Sequence, residues 1–259
     1  MILPHLPERE SMPRQKGITM VMDKGLSMAQ AENMMHAAGH LTDFVKLGFG
    51  TSVVSKNVSQ KVKLYQSFGV KVYLGGTLLE ACLVRNALDQ YEKFLDETGV
   101  DCVEVSDGSI SMEHEKKLEL INRFSQQRIV LSEVGAKEAD VIINPIVWIE
   151  HINSEIEAGS HYVIAEARES GTVGIYNTTG KADKELIMQI ISKTPNHKVL
   201  WEAPLKSQQV WFIKLLGPHV NLGNIAPSDI IPLETLRLGL RGDTFFDVLP
   251  PELHKYKLK

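Results

Sequence analysis

Short runs of apolar residues recur along this chain, most of them closed by a glycine or a polar turn, and amphipathic stretches fill the spaces between. The runs are Ile18–Met22, Phe44–Leu47, Val70–Leu74, Cys102–Val105, Ile129–Leu131, Tyr162–Ala165, Val199–Trp201 and Val220–Leu222. They begin roughly 20 to 37 residues apart, the spacing of repeated strand–helix units. Runs that are apolar at consecutive positions fit parallel strands covered on both faces; a strand with one wet face alternates instead.

The stretches between the runs carry helix signals. In "SMAQAENMMHAAG", Ser27 and Gln30 have capping-box spacing, Met28, Ala31, Met34, Met35 and Ala38 share a face, and Gly39 suits a left-handed C-terminal position. Thr77 and Glu80 repeat the box before a helix predicted to end near Gly99. Asn144-Pro145 reads as an N-cap followed by proline at the first helical position, with Ile149, Ile152 and Ile156 on one face. Asp183, Ser207 and Ser228 are further N-cap candidates. Eight such units with no composition break predict an α/β chain folded as a single (β/α)8 TIM barrel over residues 1–259, with 1–16 as an N-terminal extension. A doubly wound open sheet uses the same units and is the alternative.

Composition narrows the function classes. At 259 residues, 43% hydrophobic and 23% charged, the chain has the make-up of a soluble globular protein. The net charge of −4 includes no long run of one sign, so no footprint for nucleic acid appears. Cys82 and Cys102 lack metal-ligand spacing and read as small buried hydrophobes. No apolar run approaches the ~20 residues of a membrane span. The N-terminal "MILPHLPERESMPRQKG" lacks the basic start and apolar centre of a signal peptide, so a cytoplasmic protein is expected. His36 and His40 stand four apart but flank a glycine at a helix end, a poor setting for zinc.

In a barrel the C-terminal ends of the strands form the mouth, where active sites of this fold are built. Those positions here hold Asp23, Lys24, Lys46, Glu104, Ser106, Asp107, Ser132, Glu133 and Lys137, then Glu166, Arg168, Glu169, Glu202, Lys206, Asn221 and Asn224. In "HYVIAEARESGTVG" a buried strand runs straight into three charges, and period-two alternation puts Glu166 on the face of Tyr162 and Ile164. Carboxylates from several strand ends suit an oxygen-ligated Mg²⁺, while lysine and arginine suit phosphate or carboxylate groups. Structural ion pairs at the rim are the bland alternative.

At these same segments the chain resembles the phosphosulfolactate synthase family. The matching stretches are "KGITMVMDKG", "DFVKLGFGTS", "LSEVGAK", "YVIAEARESG", "WEAPLKSQQ", "VNLGNIA" and "LETLRLGLRGDTF", in order from Lys16 to Phe245. Phe49 stands where the family leads one to expect tryptophan, a difference that bears on packing. The resemblance implies a (β/α)8 barrel that adds sulfite to phosphoenolpyruvate with Mg²⁺, giving (2R)-phospho-3-sulfolactate through a metal-stabilised enediolate. The product is a precursor of coenzyme M in methanogens and, in some bacteria, is thought to lead to sulfolactate.

With that chemistry the rim residues take expected roles. Glu133, Glu166 and Glu202, and next Asp23, would hold Mg²⁺, and Lys137 would be the general acid. Lys46 and Arg168 would hold phosphoenolpyruvate; Lys206 and Asn224 would meet its phosphate or the sulfite, with Lys24 also on the substrate. The glycine-containing loop 170–180 would act as a lid. Two other readings are an aldolase-type barrel with Lys46 as a Schiff-base lysine, and a non-catalytic barrel that binds a ligand. Exposed apolar residues on barrel helices lead us to expect a homo-oligomer.

Overall fold

The computed structural model describes residues 3–135, 144–167, 170–172 and 174–258. Eight parallel strands close into one barrel in sequence order. They are β1 (Thr19–Asp23), β2 (Phe44–Leu47), β3 (Lys71–Leu74), β4 (Cys102–Val105), β5 (Ile129–Val134), β6 (Tyr162–Ala165), β7 (Val199–Glu202) and β8 (Leu222–Ile225). The open sheet is thereby excluded, because β1 pairs with both β2 and β8. The last strand begins at Leu222, where the apolar run Val220–Leu222 ends.

Alternation along each strand sorts two cores. Outward residues such as Val21, Val45, Val72 and Val163 pack beneath the helices. Inward residues Ile18, Met20, Phe44, Tyr73, Cys102, Leu131, Tyr162, Ile164 and Leu200 form a closed apolar plug inside the barrel. Cys102 belongs to that plug, whereas Cys82 is only half-buried.

The helices are α1 (Met28–Ala38), α2 (Thr51–Val54), α3 (Val58–Ser67), α4 (Gly76–Leu83), α5 (Leu88–Thr98), α6 (His114–Ser125), α7 (Pro145–Glu157), α8 (Lys184–Lys193), α9 (Lys206–Leu216) and α10 (Ile230–Arg237). The Ser27–Gln30 capping box forms, and Ala31, Met34, Met35 and Ala38 are buried while Met28 stays exposed. Gly39 is right-handed, not left-handed; Phe68 packs on it, so the missing side chain provides room. The helix predicted from Thr77 to Gly99 is two helices, α4 and α5, broken where Asn86 turns left-handed. Gly75, not Thr77, caps α4, because the Glu80 side chain turns inward to accept from Ser106 Oγ and, at 3.0 Å, the Ser109 amide. Asn144 and Asp183 cap α7 and α8 as expected. Ser207 and Ser228 do not cap: α9 starts one residue earlier behind Leu205, and Asp229 precedes α10.

The N-terminal segment crosses the lower end of the barrel. Arg9 Nε donates to Glu234 Oε1 at 2.8 Å, Arg14 binds both oxygens of Asp43, and the Gly17 amide donates to His219 O at 2.8 Å. No helix among the described residues is long and apolar enough to cross a membrane.

Candidate active site

Directly above the apolar plug, the next inward layer is charged. Continuing the alternation past Phe44, Cys102, Leu131, Ile164 and Leu200 brings Lys46, Glu104, Glu133, Glu166 and Glu202 into the barrel, all of them buried. Ligand oxygens of Glu133, Glu166 and Glu202 lie within 4.8 Å of one another. They line a cavity of about 390 Å³ together with Met22, Lys46, Phe49 and Asn224.

Among the described residues, Lys46 is the cation of this layer. Its Nζ lies 2.8 Å from Glu104 Oε2, 3.4 Å from Glu133 Oε2 and 3.9 Å from Glu202 Oε1. Burial pulls the ammonium's pKa down, but the attraction of Glu104, Glu133 and Glu202 outweighs it and holds the value well above that of ordinary lysine. Burial also raises the Glu104 carboxyl, against the pull of Lys46. Glu202 is pushed up to about 8 by burial, with Lys46 opposing and Glu133 adding to the rise. A lysine held charged in this way is a poor amine nucleophile, which weighs against the Schiff-base reading.

Backbone contacts fix the acids. The Ala167 amide donates to Glu202 Oε2 at 2.9 Å, and the Gly76 amide donates to Glu104 Oε1 at 2.6 Å. A side chain at Gly76 would strike Ser106 and Glu104, so this glycine serves a close approach of α4 to the end of β4. Asn224 has a left-handed backbone (φ 56°) beside an irregularity in the β1–β8 pairing, which re-aims its side chain into the mouth. Its Nδ2 lies 3.3 Å from Ala167 O and 3.5 Å from Glu202 Oε2.

The loop after β6 is fastened over this layer. The Ile175 amide donates to Glu166 O, the Tyr176 hydroxyl donates to Glu202 O at 2.7 Å, and Gln208 Nε2 donates to Gly171 O and Gly180 O. Gly174 is left-handed, and a Cβ there would collide with Glu166 O.

Other expected residues sit differently. Asp23 is fully buried but is not brought to the three glutamates: Lys61 Nζ at 2.7 Å and Tyr65 Oη at 2.8 Å take one oxygen, and the Gly25 and Leu26 amides take the other. Lys24 lies 6.0 Å from the Phe49 ring centre. Lys206 pairs with Asp243 at 2.7 Å on the first turn of α9. Lys137 and Arg168 lie outside the described residues. The partnership of Lys46 with Glu104 was not anticipated; its signal was the even spacing of both residues from inward Phe44 and Cys102.

Residues 7–243 match the model of the (2R)-phospho-3-sulfolactate synthase (ComA) family. The chain is 41% identical over 244 residues to a phosphosulfolactate synthase of Methanothermobacter thermautotrophicus, covering 92% of this chain and 95% of that one. It is 37% identical to that of Bacillus subtilis (93% and 97% covered) and 42% identical to that of Methanocaldococcus jannaschii (89% and 94%). Among solved structures, 3-hexulose-6-phosphate synthase from Salmonella typhimurium superposes with a TM-score of 0.54 at 12% identity, over 85% of this chain and 99% of that one. The YdjI aldolase from Escherichia coli K12 gives 0.53 at 10%, over 83% and 76%. These two likenesses establish the shared barrel alone.

Proposed function

The chain belongs to the (2R)-phospho-3-sulfolactate synthase family of enzymes, and on that premise we propose that its mouth adds sulfite to phosphoenolpyruvate with Mg²⁺ as cofactor. The observation that carries this reading is the trio Glu133, Glu166 and Glu202, buried together at the wall of a cavity sized for a small molecule. Three carboxylates so close repel one another, and oxygen donors alone suit a hard divalent cation. The raised pKa of Glu202 comes first from its burial, which outweighs the pull of Lys46, with the negative charge of Glu133 adding to it. The residues therefore fit Mg²⁺. When bound, Mg²⁺ would supply a Lewis acid facing the substrate carboxylate.

In the reaction, the sulfur lone pair of sulfite forms a bond to C3 of phosphoenolpyruvate. The C2–C3 π pair moves toward C2 and into the carboxylate, and C2 then takes a proton, giving (2R)-phospho-3-sulfolactate. Lys46 acts as a fixed cation within the acidic layer, where it offsets charge next to the carboxylate-binding wall. Asn224 presents its amide from β8 to orient the substrate, and Met22 contributes an apolar surface to the cavity. In this reading Lys137 donates the proton, Arg168 binds phosphoenolpyruvate, and Lys24 and Lys206 meet phosphate or sulfite at the rim.

The test is ³¹P NMR of phosphoenolpyruvate with sulfite, Mg²⁺ and protein. A new phosphate-ester resonance that needs sulfite and disappears with EDTA is expected. An unchanged spectrum from folded, Mg²⁺-supplied protein would overturn the proposal in favour of a barrel that binds without turnover.

A further inference from the structure

Behind β5, on the side away from the cavity, a second buried charge network meets the same strand. Lys117, on α6, has a side chain only 1% exposed. Its Nζ reaches Asp107 Oδ1 at 2.9 Å, Glu155 Oε1 at 2.8 Å and the main-chain oxygen of Glu133 at 2.6 Å. The ammonium donates hydrogen bonds to Asp107 Oδ1 and to the Glu133 carbonyl, and Glu155 completes the site as an ion pair. The acceptors come from the loop after β4, from α7 and from the mouth end of β5.

Helix packing alone does not require this arrangement. An apolar side chain of the same volume packs α6 against α7 without the desolvation of an ammonium and a carboxylate. What the lysine adds is a donor aimed at one carbonyl, that of the residue whose side chain enters the acidic trio. His114 and His151 flank the network as a stacked pair, ring centres 3.7 Å apart and planes at 7°. With Glu155 they are near enough to suggest a metal site. His114 Nε2 is already hydrogen-bonded to Ser154 Oγ, however, and Lys117 already pairs with Glu155, so among the described residues the cation of this cluster is the lysine.

We propose that Lys117 is a positioning residue for the active site: it clamps the Glu133 carbonyl and so fixes the Glu133 carboxylate for the metal. This rests on the reading of Glu133, Glu166 and Glu202 as metal ligands. Partners that orient ligand-bearing groups from behind typically change metal affinity about 10- to 100-fold when removed.

The experiment uses Mn²⁺ as the probe, because oxygen ligands accept it as they accept Mg²⁺. Binding is followed by loss of the free-Mn²⁺ EPR signal, a readout independent of turnover. Wild type is compared with Glu133→Gln, Lys117→Met and the double variant Lys117→Met/Glu155→Leu, which removes both charges between the two helices and leaves Asp107, a partly exposed carboxylate, to water. Expected are Mn²⁺ binding by wild type, its loss in Glu133→Gln, and roughly 10-fold or greater weakening in the double variant at an unchanged melting temperature. Wild-type affinity in a folded double variant would overturn the clamp and leave the metal reading standing. Wild-type binding that Glu133→Gln does not disturb, or no binding at all, would overturn both. If Lys117→Met alone unfolds, the double variant decides.

Discussion

The ammonium of Lys46 and the carboxylate of Glu104 meet at 2.8 Å inside the barrel, one layer above a wholly apolar plug. Neither has bulk water to fall back on, so Glu104 depends on Lys46 and the Gly76 amide, and Lys46 on Glu104 and the other acids around it. Lys46→Met leaves Glu104 buried without its ion-pair partner. Breaking a buried pair from one side costs about 3–5 kcal/mol, and that loss is expected in urea unfolding of metal-free protein. Mg²⁺ is expected to restore part of it.

Glu202 provides a pH signature. Its folded-state pKa of about 8 lies above the ordinary 4.5, so the folded protein holds a proton there that the unfolded chain has released. The stability from this group is complete below pH 4.5, declines through the window between, and is gone above about 8. If Mg²⁺ binds Glu202, the proton must leave. Calorimetry at pH 7 in two buffers of different ionisation heat should then register proton release, which fades as the pH rises past 8. Equal heats at pH 7 would contradict Glu202 as a ligand.

His151 behaves in the opposite sense. Burial, with the charges of His114 and Lys117 adding, depresses its pKa to about 4. The unfolded chain therefore binds a proton near pH 6.5 that the folded protein refuses. Stability from this residue is complete above 6.5 and is lost as pH falls toward 4. Imidazole Cε1–H shifts in NMR should show His151 neutral throughout that window.

Gly174 ties the loop after β6 to the site. A side chain there meets Glu166 O in a left-handed backbone, so Gly174→Ala should cost more than about 1 kcal/mol locally. The Ile175 amide, which donates to Glu166 O, should exchange its hydrogen faster, and turnover should fall with the fold intact.

The strands were legible because β-strands buried on both faces leave continuous apolar runs: six of the eight lie within a residue of those runs, while β5 extends three residues past its run through Ser132, Glu133 and Val134, and β8 begins where its run ends. The acidic trio was legible for a related reason: alternation carries inward parity past the last apolar residue, from Leu131 to Glu133 and from Ile164 to Glu166. What the sequence hid depends on distant partners. Asp23 looks like any mouth carboxylate until Tyr65 and Lys61, some 40 residues on, are seen to take it. Thr77 and Glu80 have capping spacing, but Ser106 competes for Glu80 and wins. Asn224 reaches the mouth only through a left-handed backbone, which no side-chain pattern announces.

The apolar plug under the charged layer has a kinetic consequence. With Met20, Phe44, Tyr73 and Tyr162 filling the barrel and the Arg9–Arg14 segment crossing beneath, the described residues close the cavity from below, as a well that opens at the mouth. Whatever is made there must leave by the route its precursors used. On the proposed reaction, product and phosphoenolpyruvate should therefore exclude each other, so that product inhibition is competitive with phosphoenolpyruvate.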